Sequence, residues 1–89
     1  MPPELRLERL PEVLGRRGDS RSQLYLDVQR GTWPPPIRLG RASTWPAHEN
    51  QQLLAARIAG ASTEELRQLV QQLLERRKAL MPALGTEAA

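Results

Sequence analysis

The chain contains no cysteine and no phenylalanine, and its 89 residues include one histidine and three aromatic side chains. The absence of cysteine excludes disulfides, thiolate metal sites and cysteine nucleophiles. His48 alone is too few for a histidine-based metal site, and His48 and Glu49, as adjacent residues, do not face each other on a helix. There is also no glycine-rich phosphate loop. The sequence therefore predicts a non-enzymatic protein, with no catalytic residue, no metal site and no cofactor.

Long hydrophobic runs are also missing. No apolar stretch approaches the ~20 residues that span a bilayer, and charges interrupt the first ten residues, unlike a secretory signal. We expect a cytoplasmic protein without a membrane partner. We expect no small-molecule ligand either, since no sensor domain is evident.

Positive charge is concentrated in the middle of the chain. The basic residues are twelve arginines and one lysine, and the net charge is +3. Residues 9–58 contain eight arginines and four acidic residues, whereas basic and acidic residues cancel from residue 59 onward. A local excess of arginine suits a phosphate-bearing partner, although arginine-rich codon usage also explains the preference for arginine over lysine.

Two short helices are predicted first. Pro11 suits a first helical turn, and Gly18 suits a left-handed helix stop. The second helix begins after Ser20, which with Gln23 matches a capping box, and ends at Gly31. Two helices separated by about three residues are typical of a helix-turn-helix motif.

A β-hairpin is predicted next. Prolines 34–36 exclude a helix, and residues 37–39 alternate apolar, basic and apolar, as a strand does. Gly40 and Arg41 form the turn, and residues 42–45 return. Because a two-stranded hairpin is barely stable alone, we expect Ile37, Leu39 and Trp45 to pack it on the helices.

Two further helices complete the chain. Pro46 begins the third, and Gly60 ends it. Ser62 and Glu65 form a second capping box at the start of the fourth, which carries an apolar stripe and runs to Pro82. The predicted fold is mostly α with a small β-hairpin. Its divisions are a flexible arm (1–8), a domain that contains the helix-turn-helix and the hairpin (9–60), a C-terminal amphipathic helix (61–82) and a disordered tail (83–89).

The order of these segments resembles the AlpA family of small prophage-type transcriptional regulators, which are related in fold to excisionases and MerR-type regulators. The resemblance covers about fifty residues and rests on residues 9–13 (RLPEV), 20–25 (SRSQLY), 31–41 (GTWPPPIRLGR) and Trp45. It implies a winged helix-turn-helix, with residues 20–30 as the recognition helix in the major groove and residues 37–45 as the wing. Leu26 and Asp27 depart from the family, which often has a basic residue after the tyrosine.

The candidate DNA-binding residues follow from this resemblance and from the chemistry of their side chains. Arginine pairs with guanine and glutamine with adenine, and short hydroxyl side chains reach phosphates. The candidates are Ser20, Arg21, Ser22, Gln23, Tyr25, Arg38, Arg41, Arg16 and Arg17.

Several candidates have equally good structural explanations. Ser20 and Gln23 suit capping, and Tyr25 suits core packing. Arg38 suits simple exposure to solvent, and Arg16 and Arg17 suit compensation of a helix dipole. Trp45 is expected in the core, whereas Trp33 either fills a gap beside the prolines or is exposed.

The stripe on the last helix is apolar enough to need a partner surface. It either folds back on the domain or pairs with a second copy, and we favour self-association into a homodimer. Its members are Leu66, Leu69, Val70, Leu73 and Leu80.

Three functions are consistent with the sequence. The first is a sequence-specific transcriptional regulator that binds double-stranded DNA. The second is an excisionase-like architectural protein that acts with a recombinase through the same surface. The third is a protein-interaction module that uses the last helix.

Overall fold

The computed structural model describes residues 5–80 as four helices and one small sheet. The expected mostly helical fold with a small hairpin is confirmed at this level. The predicted tail (83–89), the first four residues of the arm, and the expected extension of the last helix to Pro82 lie outside the described residues. In chain order the elements are β1 (Leu7–Arg9), α1 (Leu10–Arg17), α2 (Arg21–Arg30), β2 (Ile37–Leu39), β3 (Ala42–Pro46), α3 (Ala47–Ile58) and α4 (Thr63–Ala79).

The boundaries of α1 and α2 follow the predicted stop and start signals. Gly18 ends α1 in the left-handed region with φ of 75°. Ser20 caps α2, since its Oγ accepts a hydrogen bond from the backbone N–H of Gln23 at 3.1 Å. The predicted capping box is only half present, because the Gln23 side chain donates to Asp27 Oδ1 at 3.2 Å and does not return to the cap. The amide of Gln23 is thus directed along α2 toward Asp27 and away from the cap.

The capping box at the start of α4 is complete. Ser62 Oγ accepts from the Glu65 N–H at 3.1 Å, and Glu65 Oε1 accepts from the Ser62 N–H at 2.9 Å. The sequence therefore located this helix start correctly. The structure ends α4 at Ala79.

The sheet contains the predicted hairpin and one strand that the sequence analysis missed. Its strand order is β1-β3-β2, and both pairings are antiparallel. We assigned Leu7 and Glu8 to the arm, but they belong to β1, in which Glu8 lies opposite Trp45. The charge of Glu8 suggested solvent exposure, yet its side chain is buried and paired with an arginine.

The hairpin is buried on both faces at its base and exposed at its tip. Trp45 and Thr44, neighbours on β3 that lie on opposite faces, are both buried. Ile37, which pairs with Thr44, is half-buried, and Arg38 is exposed. The expectation that Leu39 packs on the helices is wrong, because Leu39 is 52% exposed.

One hydrophobic core joins all four helices and β3. The core residues are Val13, Leu24, Trp33, Trp45, Leu53, Leu66, Val70 and Leu73. None of the helices within residues 5–80 is long and apolar enough to cross a membrane.

The stripe on α4 folds back on its own domain, the first of the two arrangements considered for it, and self-association stays a prediction. Leu66, Val70 and Leu73 are buried in the core, and Leu69 is partly buried against it. Leu80 is exposed at 54%. The same spacing of apolar residues suits a coiled coil and a helix that packs on its own domain. The domain is small and has few other large apolar side chains, so its core needs those of α4.

Replacing Leu73 by alanine should lower the free energy of unfolding by about 2–4 kcal/mol, because the change leaves a cavity in the core. Leu80→Ala is the matched control and should change it by less than about 0.5 kcal/mol, since that side chain is largely exposed. Urea unfolding followed by circular dichroism measures both. Equal effects of the two substitutions would contradict the packing of α4 described above.

Candidate nucleic-acid interface

Among residues 5–80, three carboxylates are buried, and each is bound by at least one arginine. They are Glu8, Asp27 and Glu49. A buried carboxylate is tolerated only when it is paired and hydrogen-bonded. These pairs therefore decide which arginines are committed to the fold and which remain at the surface.

Asp27 of α2 is the most highly connected of the three. Its Oδ2 accepts from Nη2 of Arg17 at 2.7 Å and from Nη2 of Arg57 at 2.8 Å. Arg17 also donates to Asp19 from Nε and Nη2, at 2.9 and 2.7 Å. Burial by itself raises the pKa of Asp27, but the hydrogen bonds and charges of Arg17 and Arg57 outweigh it and hold the pKa below its usual value. Asp27 therefore ties α2 to α1 and α3.

Arg17 is a structural residue, contrary to its predicted contact with DNA. Its side chain is only 1% exposed, and its guanidinium carbon lies 4.5 Å from the centre of the Trp33 ring. The corresponding distance from Arg57 is 5.3 Å. Trp33 is fully buried, so the alternative of an exposed ring is wrong. The ring face offers the cations a π-electron surface beside their carboxylate partner.

Arg16 is also committed to an internal pair. Its Nε lies 2.8 and 2.9 Å from the two oxygens of Glu8, and its Nη2 lies 2.6 Å from Oε2. Asn50 Nδ2 donates to Glu8 Oε1 at 2.9 Å. Burial raises the pKa of Glu8, but the bonds from Arg16 and Asn50 prevail and keep the pKa low. A side chain held this way, although 33% exposed, has little freedom to reach a phosphate.

Two arginines of α4 brace the segment between α2 and β2, which the sequence did not reveal. Arg77 binds Glu49, with Nη2 to Oε1 at 2.6 Å, and its Nη1 donates to the carbonyl of Pro35 at 3.1 Å. Arg67 Nε donates to the carbonyl of Arg30 at 2.9 Å, at the end of α2. No local pattern signals these bonds, because their partners are 28 to 42 positions apart.

The remaining arginines of the basic central segment are free of acidic partners. All four acidic residues between positions 9 and 58 form ion pairs with arginine. Five arginines of this segment are exposed and have no ion pair within residues 5–80: Arg9, Arg21, Arg30, Arg38 and Arg41. The positive charge that the fold does not use therefore lies on α2, on the hairpin and at the end of β1.

The start of α2 presents short polar side chains and one free cation. Ser20, Arg21 and Ser22 are exposed, and the first turn of α2 contains no acidic residue. The Arg21 guanidinium carbon lies 5.8 Å from the centre of the Tyr25 ring. A helix N-terminus with free N–H groups and a nearby cation is suited to an anion.

Tyr25 connects this helix start to the hairpin. Its half-buried ring meets Trp45 of β3 edge-on, with ring centres 6.4 Å apart and planes at 61°. This geometry agrees with the packing role considered for Tyr25, and the Trp45 indole N–H donates to the carbonyl of Pro34 at 2.8 Å. Trp45 is buried as expected.

The hairpin carries two more of the arginines that have no ion pair within residues 5–80. Arg38 and Arg41 are exposed on either side of Leu39 and Gly40. Gly40 has φ of 59°, a left-handed conformation that suits a two-residue hairpin turn. The tip therefore presents two cations and one apolar side chain without a negative charge among them.

Comparison with protein-family models, with curated proteins and with solved structures found no match to this chain.

Acidification should destabilise the protein through Asp27 and Glu8. Because their pKa values are lowered in the folded state, their stabilisation is complete above the unfolded pKa of about 4. It is lost as the pH falls through the lower folded values. We expect urea unfolding to show a steep decline in stability below about pH 4 and little change from there to pH 7.

Asp27→Asn should cost about 3–5 kcal/mol at pH 7, since it removes the buried carboxylate that Arg17 and Arg57 share, and should make the acid decline shallower. Asp19→Asn is the matched control, because Asp19 binds the same arginine with its side chain 31% exposed. It should cost less than about 1 kcal/mol. Equal losses from the two substitutions would contradict the central role of Asp27.

Proposed function

We propose that the protein binds double-stranded DNA as a sequence-specific transcriptional regulator of AlpA type and catalyses no reaction. In this proposal the domain is a winged helix-turn-helix. Helix α2 lies in the major groove, and the β2–β3 hairpin is the wing. The observation that carries the proposal is the division of the arginines: those bound to buried carboxylates hold the fold, and four of the six without an ion pair within residues 5–80 are exposed on α2 and the hairpin.

Arg21 is the residue that we assign to base readout. It stands in the first turn of α2, the part of a recognition helix that meets base edges, and has no acidic partner within residues 5–80. A guanidinium can bind the O6 and N7 atoms of guanine together. Gln23 ranks behind Arg21, because an adenine contact requires its amide to leave Asp27.

We assign the phosphate contacts to the exposed serine side chains at the start of α2 and to the arginines of the hairpin. Ser20 and Ser22 lie at the positive end of the α2 dipole, where a phosphate is favoured. Arg38 and Arg41 extend the positive surface to the hairpin, which the contact of Tyr25 with Trp45 holds against α2. Arg16 and Arg17 are not included, because Glu8, Asp19 and Asp27 bind them internally.

The excisionase-like architectural role uses the same surface and is our second candidate. The exposed tip of the hairpin favours considering it, since architectural proteins bend DNA with exposed apolar side chains. The protein-interaction module is not proposed, because most of the apolar stripe of α4 is buried in its own core. Either DNA-binding role would place the protein on the nucleoid in the bacterial cytoplasm.

Arg21→Ala should weaken the preference for specific DNA. Duplexes enriched from a random-sequence library on the wild-type protein serve as the probe, and fluorescence anisotropy measures binding with and without competitor. Loss of a bidentate guanine contact should weaken specific binding by roughly 5- to 150-fold, corresponding to about 1–3 kcal/mol. Wild-type binding should also weaken steeply with salt.

Arg76→Ala is the matched control for charge. Arg76 is exposed on α4 and bonded only to Gln52 among the described residues, so its loss should change affinity by less than about threefold, as a charge outside the contact surface does. Wild-type protein that enriches no duplex at low salt would overturn the proposed function. Equal effects of the two substitutions would overturn the assignment of Arg21.

A further inference from the structure

Leu39 is a large apolar side chain left exposed at the tip of the hairpin. It forms the last pair of the β2–β3 ladder, opposite Ala42, directly before the turn at Gly40 and Arg41. Its exposure of 52% contrasts with the burial of Trp45 at the other end of β3. Arg38 and Arg41 lie on either side of it in the sequence, and neither has an ion pair within the described chain.

We propose that Leu39 enters the minor groove of DNA as an apolar wedge that widens the groove and bends the duplex. This inference rests on the proposed function, since it needs α2 in the neighbouring major groove. It adds a residue that deforms DNA to the proposed DNA-binding surface, whose other residues we assigned from their charge and polarity.

The reach of the hairpin supports this placement. Trp45 is held against α2 through Tyr25, and the three-residue step from Trp45 to Ala42 spans about 10 Å of strand. That distance is similar to the ~12 Å width of the major groove. A hairpin based beside α2 therefore ends near the sugar-phosphate wall and the minor groove beyond it.

The width of the hairpin makes deformation necessary. Paired strands are about 4.8 Å apart before their side chains are added, whereas the minor groove of B-DNA is about 6 Å wide. The tip therefore enters only a widened groove. Leucine is among the side chains that open base steps in minor-groove complexes, and such insertion bends DNA toward the major groove.

Charge at the tip provides the anchoring that a wedge requires. Arg38 lies on the opposite face of β2 from Leu39, and Arg41 occupies the turn. The three side chains thus project in different directions, and the two cations suit the phosphates that line a groove. Leu39 has no polar atom to offer, so its favourable contacts are with sugars and base faces.

The test measures bending separately from binding. A duplex of about 30 base pairs, enriched from random-sequence DNA on the wild-type protein, carries a donor and an acceptor fluorophore at its ends. Energy transfer at saturating protein reports the bend, and anisotropy of the same duplex reports affinity. The proteins compared are wild type, Leu39→Ala, Leu39→Met and, as a matched exposed leucine outside the interface, Leu80→Ala.

We expect the wild-type protein and Leu80→Ala to increase energy transfer and Leu39→Ala to lose at least half of that increase. Affinity of Leu39→Ala should fall by less than about tenfold, because phosphate contacts supply most of it. Leu39→Met should keep the bend, since methionine also serves as a wedge.

A straight wild-type complex, a Leu39→Ala complex with the full bend, or loss of all binding by folded Leu39→Ala would overturn the wedge and leave the proposed function intact. Failure of the wild-type protein to enrich any duplex would overturn both. Leu39 is half exposed and outside the core, so Leu39→Ala should fold, and its thermal unfolding confirms this directly.

Discussion

The carboxylate of Asp27 joins three helices at one point. It lies on α2, accepts hydrogen bonds from Arg17 of α1 and Arg57 of α3, and keeps both guanidinium groups beside the buried ring of Trp33. A buried charge is stable only while its partners stay in place. The orientation of α2 relative to the other helices is therefore restrained by charge as well as by apolar packing. The three-residue connection between α1 and α2 alone would allow other angles.

This constraint also determines what the surface can do. Glu8, Asp27 and Glu49 bind Arg16, Arg17, Arg57 and Arg77 inside the domain or at its edge. The negative charge of the central segment is thus used internally, and the arginines left over stand on α2, the hairpin and the end of β1. A chain with a modest net charge of +3 acquires in this way a surface on which positive charge is locally uncompensated. The α4 helix contributes by holding the end of α2 and the proline segment, and its apolar stripe completes the core.

Local signals in the sequence predicted most of the helix and hairpin boundaries. Gly18, Ser20, Gly31 and Ser62 act through backbone geometry or through bonds to residues at most four positions away, which a sequence pattern can reveal. Hydrogen-bonded pairs of residues that are far apart in the sequence leave no such local pattern and could not be predicted. The strand β1 is held in place by the hydrogen bonds of Glu8 with Arg16 and Asn50. Arg17 is buried because it binds Asp27, ten residues later in the chain. The alternation of residues 37–39 did not reveal that β3 is buried on both faces, at Thr44 and at Trp45. The sequence also placed Arg16 and Arg17 among the candidate DNA contacts beside Arg21, although the fold uses them differently.

The most direct test of this division is an NMR titration that follows the arginine Nε–H resonances as duplex DNA is added. The signals of Arg21, Arg38 and Arg41 should shift, together with the backbone amides of residues 20–23 and 38–41. Those of Arg16, Arg17 and Arg77, which already bind carboxylates, should stay in place. Shifts confined to α4, or shifts of the internally paired arginines without those of the exposed ones, would contradict the account.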